Sequence, residues 1–218
     1  MSKFYSEDHR TLQDLFETRG MAELMEGGIV HAELAEPDTA FIESRDMFFL
    51  STIDPVGRPT VSYKGGAAGF VRAISPSKLV FPWYDGNGMY YSAGNIMGSP
   101  KVGLLFIDFV TPNRLRVQGD AVVSLDDPLM ASYPGSQFLV FVTIEAIWIN
   151  CPRYIHPHQK LTNSRYVPTI DGASPLPAWK RLDLVQEAIP ARDRAQVAGA
   201  GGEITMDGYV ELLMKGDA

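Results

Sequence analysis

Two stretches of the chain decide its fold: residues 57–66, which read GRPTVSYKGG, and residues 85–101, which read DGNGMYYSAGNIMGSPK. The first stretch alternates polar and apolar side chains with a period of two, which is typical of a β-strand with two different faces. The second begins with glycine and asparagine, which favour a tight loop, and continues into a short predicted helix. A third stretch, residues 114–119 (RLRVQG), is predicted to be another strand.

Outward from these stretches, the sequence predicts short strands over residues 47–53, 60–64, 69–74, 78–81, 102–109, 115–124 and 137–149. Before them we expect short helices, one running from Ser6 to an end at Gly20 and another starting near Pro37. Six or seven short antiparallel strands with only short helical pieces favour a barrel over a parallel sheet. We predict one mainly β domain, with a helical region (1–45), a barrel (46–155) and an irregular C-terminal extension (156–218).

Composition restricts the possible partners. The chain has 218 residues, a formal net charge of -7 and a sequence pI of about 5.1, so nucleic acid and anionic membranes are not expected partners. The single cysteine, Cys151, excludes an intramolecular disulfide and is expected to be buried. We expect a cytoplasmic protein because the N-terminus has no apolar signal segment and no apolar run is long enough to span a bilayer.

The strand around residue 60 has a polar face that fits an anionic ligand. Alternation places two cations and two hydroxyls on one side of it, namely Arg58, Thr60, Ser62 and Lys64. The loop that starts at residue 85 could supply backbone N–H groups to a phosphate, with a helix N-terminus behind it. Each feature also has a simpler interpretation, because a solvated strand face, an ordinary surface turn and a pair of surface arginines (Arg114 and Arg116) give the same patterns.

In this order and spacing, the stretches resemble the pyridoxamine 5'-phosphate oxidase-related family of FMN-binding split barrels, over residues 47–155. Residues 148–155 (WINCPRYI) also resemble a flavin-nucleotide-binding subgroup of that family. The resemblance implies a Greek-key split β-barrel and a homodimer with FMN in a groove between the subunits. It also implies a flavin-dependent oxidoreductase that acts on an unidentified small molecule.

The resemblance further implies which residues contact FMN. Backbone groups of Val61, Ser62 and Tyr63 would run along the isoalloxazine ring, while Lys64 and Arg58 would supply positive charge to the phosphate or to the N1/O2 edge. The other implied contacts are Gly86, Asn87, Ser92 and Asn95 at the phosphate end, Arg114 beside the flavin, and Arg153 reaching the flavin of the partner subunit. Trp148 is an alternative for this last contact, but packing is the preferred interpretation of this residue. Residues 90–92 read YYS where the oxidase itself has a Ser-Arg-Lys run, which argues against oxidation of pyridoxamine phosphate.

Other functions remain open at this stage. No residue is predicted to be catalytic, so a non-catalytic barrel that holds haem or flavin for storage, sensing or transfer is the main alternative. His156 and His158 are the candidate haem ligands, and with Cys151 they lack a fourth ligand at the spacing that a metal site needs. A barrel without a cofactor that serves as an interaction module is the third possibility.

Overall fold

The computed structural model describes Ser2 and residues 4–217. The chain divides into two compact units, Met1–Thr162 and Asn163–Ala218, and the single domain expected from the sequence stays a prediction. Within the part of the chain that the structure describes, no helix is both long and apolar enough to cross a bilayer. The cytoplasmic location also stays a prediction.

The first unit begins with three helices: α1 (Glu7–Leu15), α2 (Arg19–Ile29) and α3 (Glu36–Glu43). The prediction of one helix that ends at Gly20 is wrong. α1 ends before Glu17, whose positive φ of 55° reverses the chain, and Gly20 lies in the first turn of α2. A non-glycine residue in the left-handed region leaves no clear signal in the sequence, so the break was expected at Gly20 instead. The start of α3 near Pro37 is confirmed.

Seven strands form one antiparallel sheet, as predicted. They are β1 (Met47–Ile53), β2 (Pro59–Gly65), β3 (Arg72–Ser75), β4 (Lys78–Trp83), β5 (Lys101–Asp108), β6 (Asn113–Ser124) and β7 (Phe138–Asn150). Their order across the sheet is β2-β1-β5-β6-β7-β4-β3, so a central meander of β5, β6 and β7 is flanked by two hairpins. The connections from β2 to β3 and from β4 to β5 cross the sheet, and the second carries helix α4 (Tyr91–Gly98).

The sheet curls into a barrel that stays open between its two edges. β1 and β4 are separated by three strands in the sheet. The ring centroids of Phe48 on β1 and Phe81 on β4 nevertheless lie 5.0 Å apart in the interior of the barrel. The side chains of this core are fully or almost fully buried, and they include Phe48, Leu50, Phe81, Leu104, Phe106, Val117 and Val140. Because β2 and β3 are the edge strands, the barrel is split on the side where these edges face each other.

Two local features shape the barrel. The pairing of β6 with β7 shifts at Gly119, where a Cβ atom would lie 2.1 Å from the backbone oxygen of Thr143, so only glycine fits at this close approach. The predicted strand over residues 69–74 begins later, at Arg72, because Gly69 adopts a positive φ of 81° and turns the chain. Phe70 and Val71 are nevertheless buried in the core.

The second unit is more ordered than the irregular extension predicted for residues 156–218. It contains two short 3-10 turns (Ala178–Arg181 and Asp183–Val185), α5 (Ala191–Val197) and α6 (Met206–Lys215). α6 has recognisable end signals, since the Thr205 hydroxyl accepts a hydrogen bond from the Gly208 N–H and Gly216 closes the helix at φ 75°. A buried ion pair joins Lys180 to Asp193 at 2.8 Å.

Candidate functional site

A cleft of about 640 Å³ lies beside the edge strand β2, between this strand and the end of β4. One wall is the strand segment from Thr60 to Gly65, and the other is the end of β4 with the loop that leads to α4. We call it the split cleft, and its lining residues are Thr60, Val61, Ser62, Tyr63, Lys64, Gly65, Phe70, Pro82, Trp83, Tyr84, Asp85, Gly86, Asn87, Gly88, Met89, Tyr90, Tyr91 and Ser92.

The polar face of β2 is fastened to α4 by a chain of hydrogen bonds. The Ser92 hydroxyl donates to the Ser62 hydroxyl at 3.2 Å, which joins the first turn of α4 to the wall of the cleft. Deeper in the structure, Asn95 Nδ2 donates to Thr52 Oγ1 at 3.1 Å, and the hydroxyls of Thr52 and Thr60 are 3.0 Å apart. The start of α4 is therefore held at a fixed position beside β2.

Lys64 places a cation in the split cleft without a carboxylate to neutralise it. Its Nζ lies 3.7 Å from the centre of the Trp83 ring, and it forms no ion pair with any of the residues that the structure describes. Burial lowers the pKa of Lys64 to about 8, because the charged ammonium loses part of its hydration. The contact with the indole face favours the charged form and offsets part of that effect.

The loop between β4 and α4 contains two residues in the left-handed region and leads into the N-terminus of α4. Gly88 has a φ of 77°, and Tyr90 adopts the left-handed conformation at φ 47° immediately before α4 begins at Tyr91. The first N–H groups of a helix have no acceptor within the helix, and the helix dipole adds partial positive charge at that end. The loop and the start of α4 face the same cleft as Lys64.

The structure brings most of the predicted site residues together. Seven of them line the split cleft: Val61, Ser62, Tyr63, Lys64, Gly86, Asn87 and Ser92. The predicted alternation is also confirmed, since Thr60, Ser62 and Lys64 are partly buried on one face of β2 while Val61 and Tyr63 are exposed on the other. Asn95 does not line the cleft, because it is buried behind α4. A role for each residue in binding stays a prediction.

Arg58 lies outside the cleft lining. Its Nε donates to Asp54 Oδ2 at 2.8 Å, and its backbone N–H donates to Asp54 Oδ1 at 2.8 Å. The Arg58 side chain is 75% exposed, whereas that of Asp54 is only 2% exposed. Arg58 is thus part of the turn that joins β1 to β2, and Lys64 is the cation that faces the cleft.

Arg114 and Arg153 lie near each other, away from the cleft lining. Arg114 Nε is buried and lacks a hydrogen-bond partner among the described residues.

The thiol of Cys151 is exposed, which contradicts the expectation of a buried cysteine. Its pKa is lowered, chiefly by a hydrogen bond from the Arg153 backbone and further by the charges of Arg153 and Arg114. Cys151 follows directly after β7, so the chain leaves the sheet before it can bury the thiol.

Sequence reasoning missed the aromatic wall of the split cleft. Trp83, Tyr84, Tyr90 and Tyr91 all line it, and the Trp83 ring stacks on that of Phe138 with centroids 5.3 Å apart. The signal in the sequence was the run of aromatic residues on both sides of the glycine-rich loop, at positions 83–84 and 90–91. The two candidate haem ligands, His156 and His158, do not line the cleft, and the ring of His158 stacks on Phe109.

A second concavity, of about 610 Å³, lies on the outer face of the sheet, and we call it the outer groove. Its floor is mainly apolar, and Lys101 at its rim is paired with Asp120 and Glu145 at 2.8 Å each. Trp148 lies in it and packs edge-on against Phe4, so packing explains this tryptophan. Its lining residues are Phe49, Ser51, Ile53, Pro59, Val61, Lys101, Val102, Gly103, Leu104, Leu105, Arg116, Val117, Gln118, Gly119, Glu145 and Trp148.

The family model described as pyridoxamine 5'-phosphate oxidase matches residues 35–140, which include α3, β1 to β6, the split cleft and the start of β7. Over these residues, just under half of the chain, the protein is similar to the pyridoxamine 5'-phosphate oxidase-related family. The match begins earlier and ends earlier than the resemblance over residues 47–155. Membership of the flavin-nucleotide-binding subgroup stays a prediction, as does the difference from the oxidase at residues 90–92. No curated protein matches the chain.

Three solved structures are similar to part of the chain. A putative pyridoxamine 5'-phosphate oxidase from Lactobacillus delbrueckii is 25% identical, with a TM-score of 0.45, and the match covers 54% of this chain and 95% of that one. HupZ from Group A Streptococcus is 14% identical over 53% of this chain and 93% of its own, with a TM-score of 0.43. An FMN-binding protein from Syntrophomonas wolfei is 10% identical over 65% and 96%, with a TM-score of 0.42.

Proposed function

We propose that this protein binds FMN in the split cleft. The observation that carries the proposal is Lys64, a partly buried cation without a carboxylate partner among the described residues, facing a glycine-rich loop and a helix N-terminus. A buried charge without a counter-ion is unfavourable unless a ligand supplies one. The cleft volume of about 640 Å³ is within the range of cofactor sites. The cleft residues therefore fit a phosphate-bearing aromatic cofactor.

The two ends of the cleft would hold different parts of FMN. Backbone N–H groups around Gly86 and Asn87, the start of α4 and the Ser92 hydroxyl are suited to the phosphate. β2 is an edge strand, so its backbone pairs with a neighbouring strand on one side only, and Val61, Ser62 and Tyr63 can offer N–H and C=O groups to a ring edge. The aromatic wall around Trp83 and Tyr84 supplies apolar contact for the ring system.

We further propose that the protein is a flavin-dependent oxidoreductase acting on a small molecule. A bound flavin supplies hydride or electron transfer, and the protein contributes binding, orientation and electrostatics. In this chain, Lys64 would hold positive charge beside the cofactor, and the aromatic wall would exclude water from one side of the cleft. We propose no acid or base residue, since such transfer does not require one.

We also propose that the outer groove is the contact surface of a homodimer. It is a concave, mainly apolar surface in which Lys101 is paired with Asp120 and Glu145, while Arg116 is exposed and has no ion pair among the described residues. Burying the apolar residues of such a surface against another protein is favourable. Val61 lines both the groove and the split cleft, so a partner bound in the groove would lie next to the cofactor.

The test is a visible absorption spectrum of the full-length protein, together with release of the cofactor and its identification by mass. Flavin bands and a mass of FMN are the expected result. If the protein is isolated colourless, added FMN should raise its melting temperature, because a ligand that binds only the folded state stabilises it. A colourless protein whose melting temperature is unchanged by FMN would refute the proposal. A Soret band that is lost in H156A or H158A would instead support the haem alternative.

A further inference from the structure

One glutamine joins both ends of the loop that borders the split cleft. Gln137, immediately before β7, donates from its side-chain Nε2 to Asp85 Oδ1 at 2.9 Å. Its Oε1 accepts a hydrogen bond from the Tyr90 hydroxyl, also at 2.9 Å. Its backbone N–H donates to the oxygen of Trp83 at 2.8 Å, which fixes the glutamine at the edge of β4. A single side chain therefore spans the loop from its first residue to its last.

The loop needs such a support. Residues 85–90 are all exposed, and they include two glycines, which lose the most conformational entropy when they are ordered. Within the loop, the Met89 N–H donates a local hydrogen bond to Asn87 Oδ1 at 3.1 Å. Tyr90 is held in the less favourable left-handed region. The bonds to Gln137 tie this flexible segment to the central sheet.

Glutamine is also the residue type that this position requires. The side-chain amide donates to a carboxylate at one end and accepts from a phenol at the other, and no charged side chain of similar size can do both. A glutamate would still accept from Tyr90, but it would place a second carboxylate about 3 Å from that of Asp85. This repulsion would push the start of the loop away from β7.

We propose that Gln137 is a positioning residue that holds residues 85–90 and the start of α4 in the shape that binds the FMN phosphate. The inference rests on the proposed function and adds a residue that lies outside the cleft lining. Gln137 acts through Asp85 and Tyr90 and does not itself line the cleft. Because both bonds are made to the ends of the glycine-rich loop, its effect is expected to be larger on the phosphate-bearing end of the ligand than on the ring.

The test compares FMN with riboflavin, which has the same ring and ribityl chain but no phosphate. Flavin fluorescence quenching gives the dissociation constant of each ligand for the full-length apoprotein. In Q137E we expect FMN affinity to fall about 10-fold or more, and riboflavin affinity to change by less than about twofold. Y90F removes one of the two bonds and should weaken FMN binding by about threefold. Q13A is the matched control, because this glutamine also accepts a hydrogen bond but lies in α1.

The outcomes separate the inference from the function on which it rests. A wild-type protein that binds neither flavin overturns both. A wild-type protein that prefers FMN, with Q137E binding both flavins as before or weakening both equally, overturns only the positioning role. If Q137E does not fold, as judged by circular dichroism, Q137A takes its place, and the same loss of preference for FMN is expected.

Discussion

The split cleft and the outer groove share strand β2, but they differ in the burial and hydrogen bonding of their polar groups. On the cleft side, the hydroxyls of Thr60 and Ser62 form hydrogen bonds within the chain, and Lys64 is a partly buried cation without a carboxylate partner among the described residues. On the groove side the floor is mainly apolar, Lys101 is paired with two carboxylates of the same chain, and Arg116 is an exposed cation at the surface rather than a partly buried one. The cleft thus fits a small anionic ligand, and the groove fits another protein surface.

The contrast originates in the period-two pattern of one strand. Ser62 and Lys64 are partly buried and line only the cleft, whereas Val61, which directly precedes Ser62 in the sequence, is 68% exposed and also lines the groove. A change on one face should therefore leave the other face largely intact. The predictions below test whether the two regions are as separable as this arrangement implies.

The largest effect is expected from a charge placed in the outer groove. L105E should weaken the proposed homodimer by on the order of 1000-fold, because a symmetric interface would bury two unpaired carboxylates. Sedimentation velocity over a concentration series measures it. V122E is the matched control, since Val122 is 63% exposed on β6 and lies outside the groove lining. A wild-type protein that sediments as a monomer at all concentrations would show that the groove is not a dimer contact.

The next effect concerns the cation in the cleft. K64M should weaken FMN binding by about 10- to 100-fold, because a charge-assisted contact is lost while the apolar stem is kept. The sedimentation coefficient of K64M should equal that of the wild type, since Lys64 does not line the groove. Unchanged FMN affinity in K64M would remove this residue from the site, and K64R tests whether charge alone is sufficient.

A pH dependence should follow from the same lysine. Burial lowers the pKa of Lys64 to about 8, so the free protein carries the cation below pH 8 and loses it above. The phosphate stays dianionic above its second pKa of about 6, so its own charge does not change in this window. FMN affinity should therefore fall by up to about tenfold per pH unit above pH 8, until the higher pKa of Lys64 in the complex is reached.

The controls for this pH titration are the variants K64M and K64R. K64M should show a flat dependence of FMN affinity between pH 7 and 9.5, since it has no ammonium to lose. K64R should also be flat, because a guanidinium stays protonated throughout this range. An equally steep decline in K64M would assign the titration to another group.

The sequence predicted the strands because half-buried strands alternate visibly, and it placed the two faces of β2 correctly. It could not show what lies opposite β2. Trp83 reaches Lys64 only because the sheet curls through four intervening strands, and such a closure depends on packing across the whole barrel. Arg58 is a second example. The alternation of the strand predicted the side of β2 on which Arg58 lies, but it could not predict that the side chain pairs with Asp54 in the turn.

The smallest effect separates two asparagines that the sequence could not distinguish. Asn95 is 5% exposed and donates to Thr52, so N95A should lower the free energy of unfolding by about 1–3 kcal/mol and change FMN affinity by less than about twofold. Asn87 is exposed and lines the cleft, so N87A should have the reverse profile, with stability within about 0.5 kcal/mol of the wild type and FMN affinity several-fold weaker. Urea unfolding and flavin titration of both variants provide the comparison. The opposite result, in which N95A loses FMN affinity while its stability is unchanged, would contradict this assignment. It would mean that the ligand site extends behind α4 to the hydrogen-bonded residues Asn95 and Thr52.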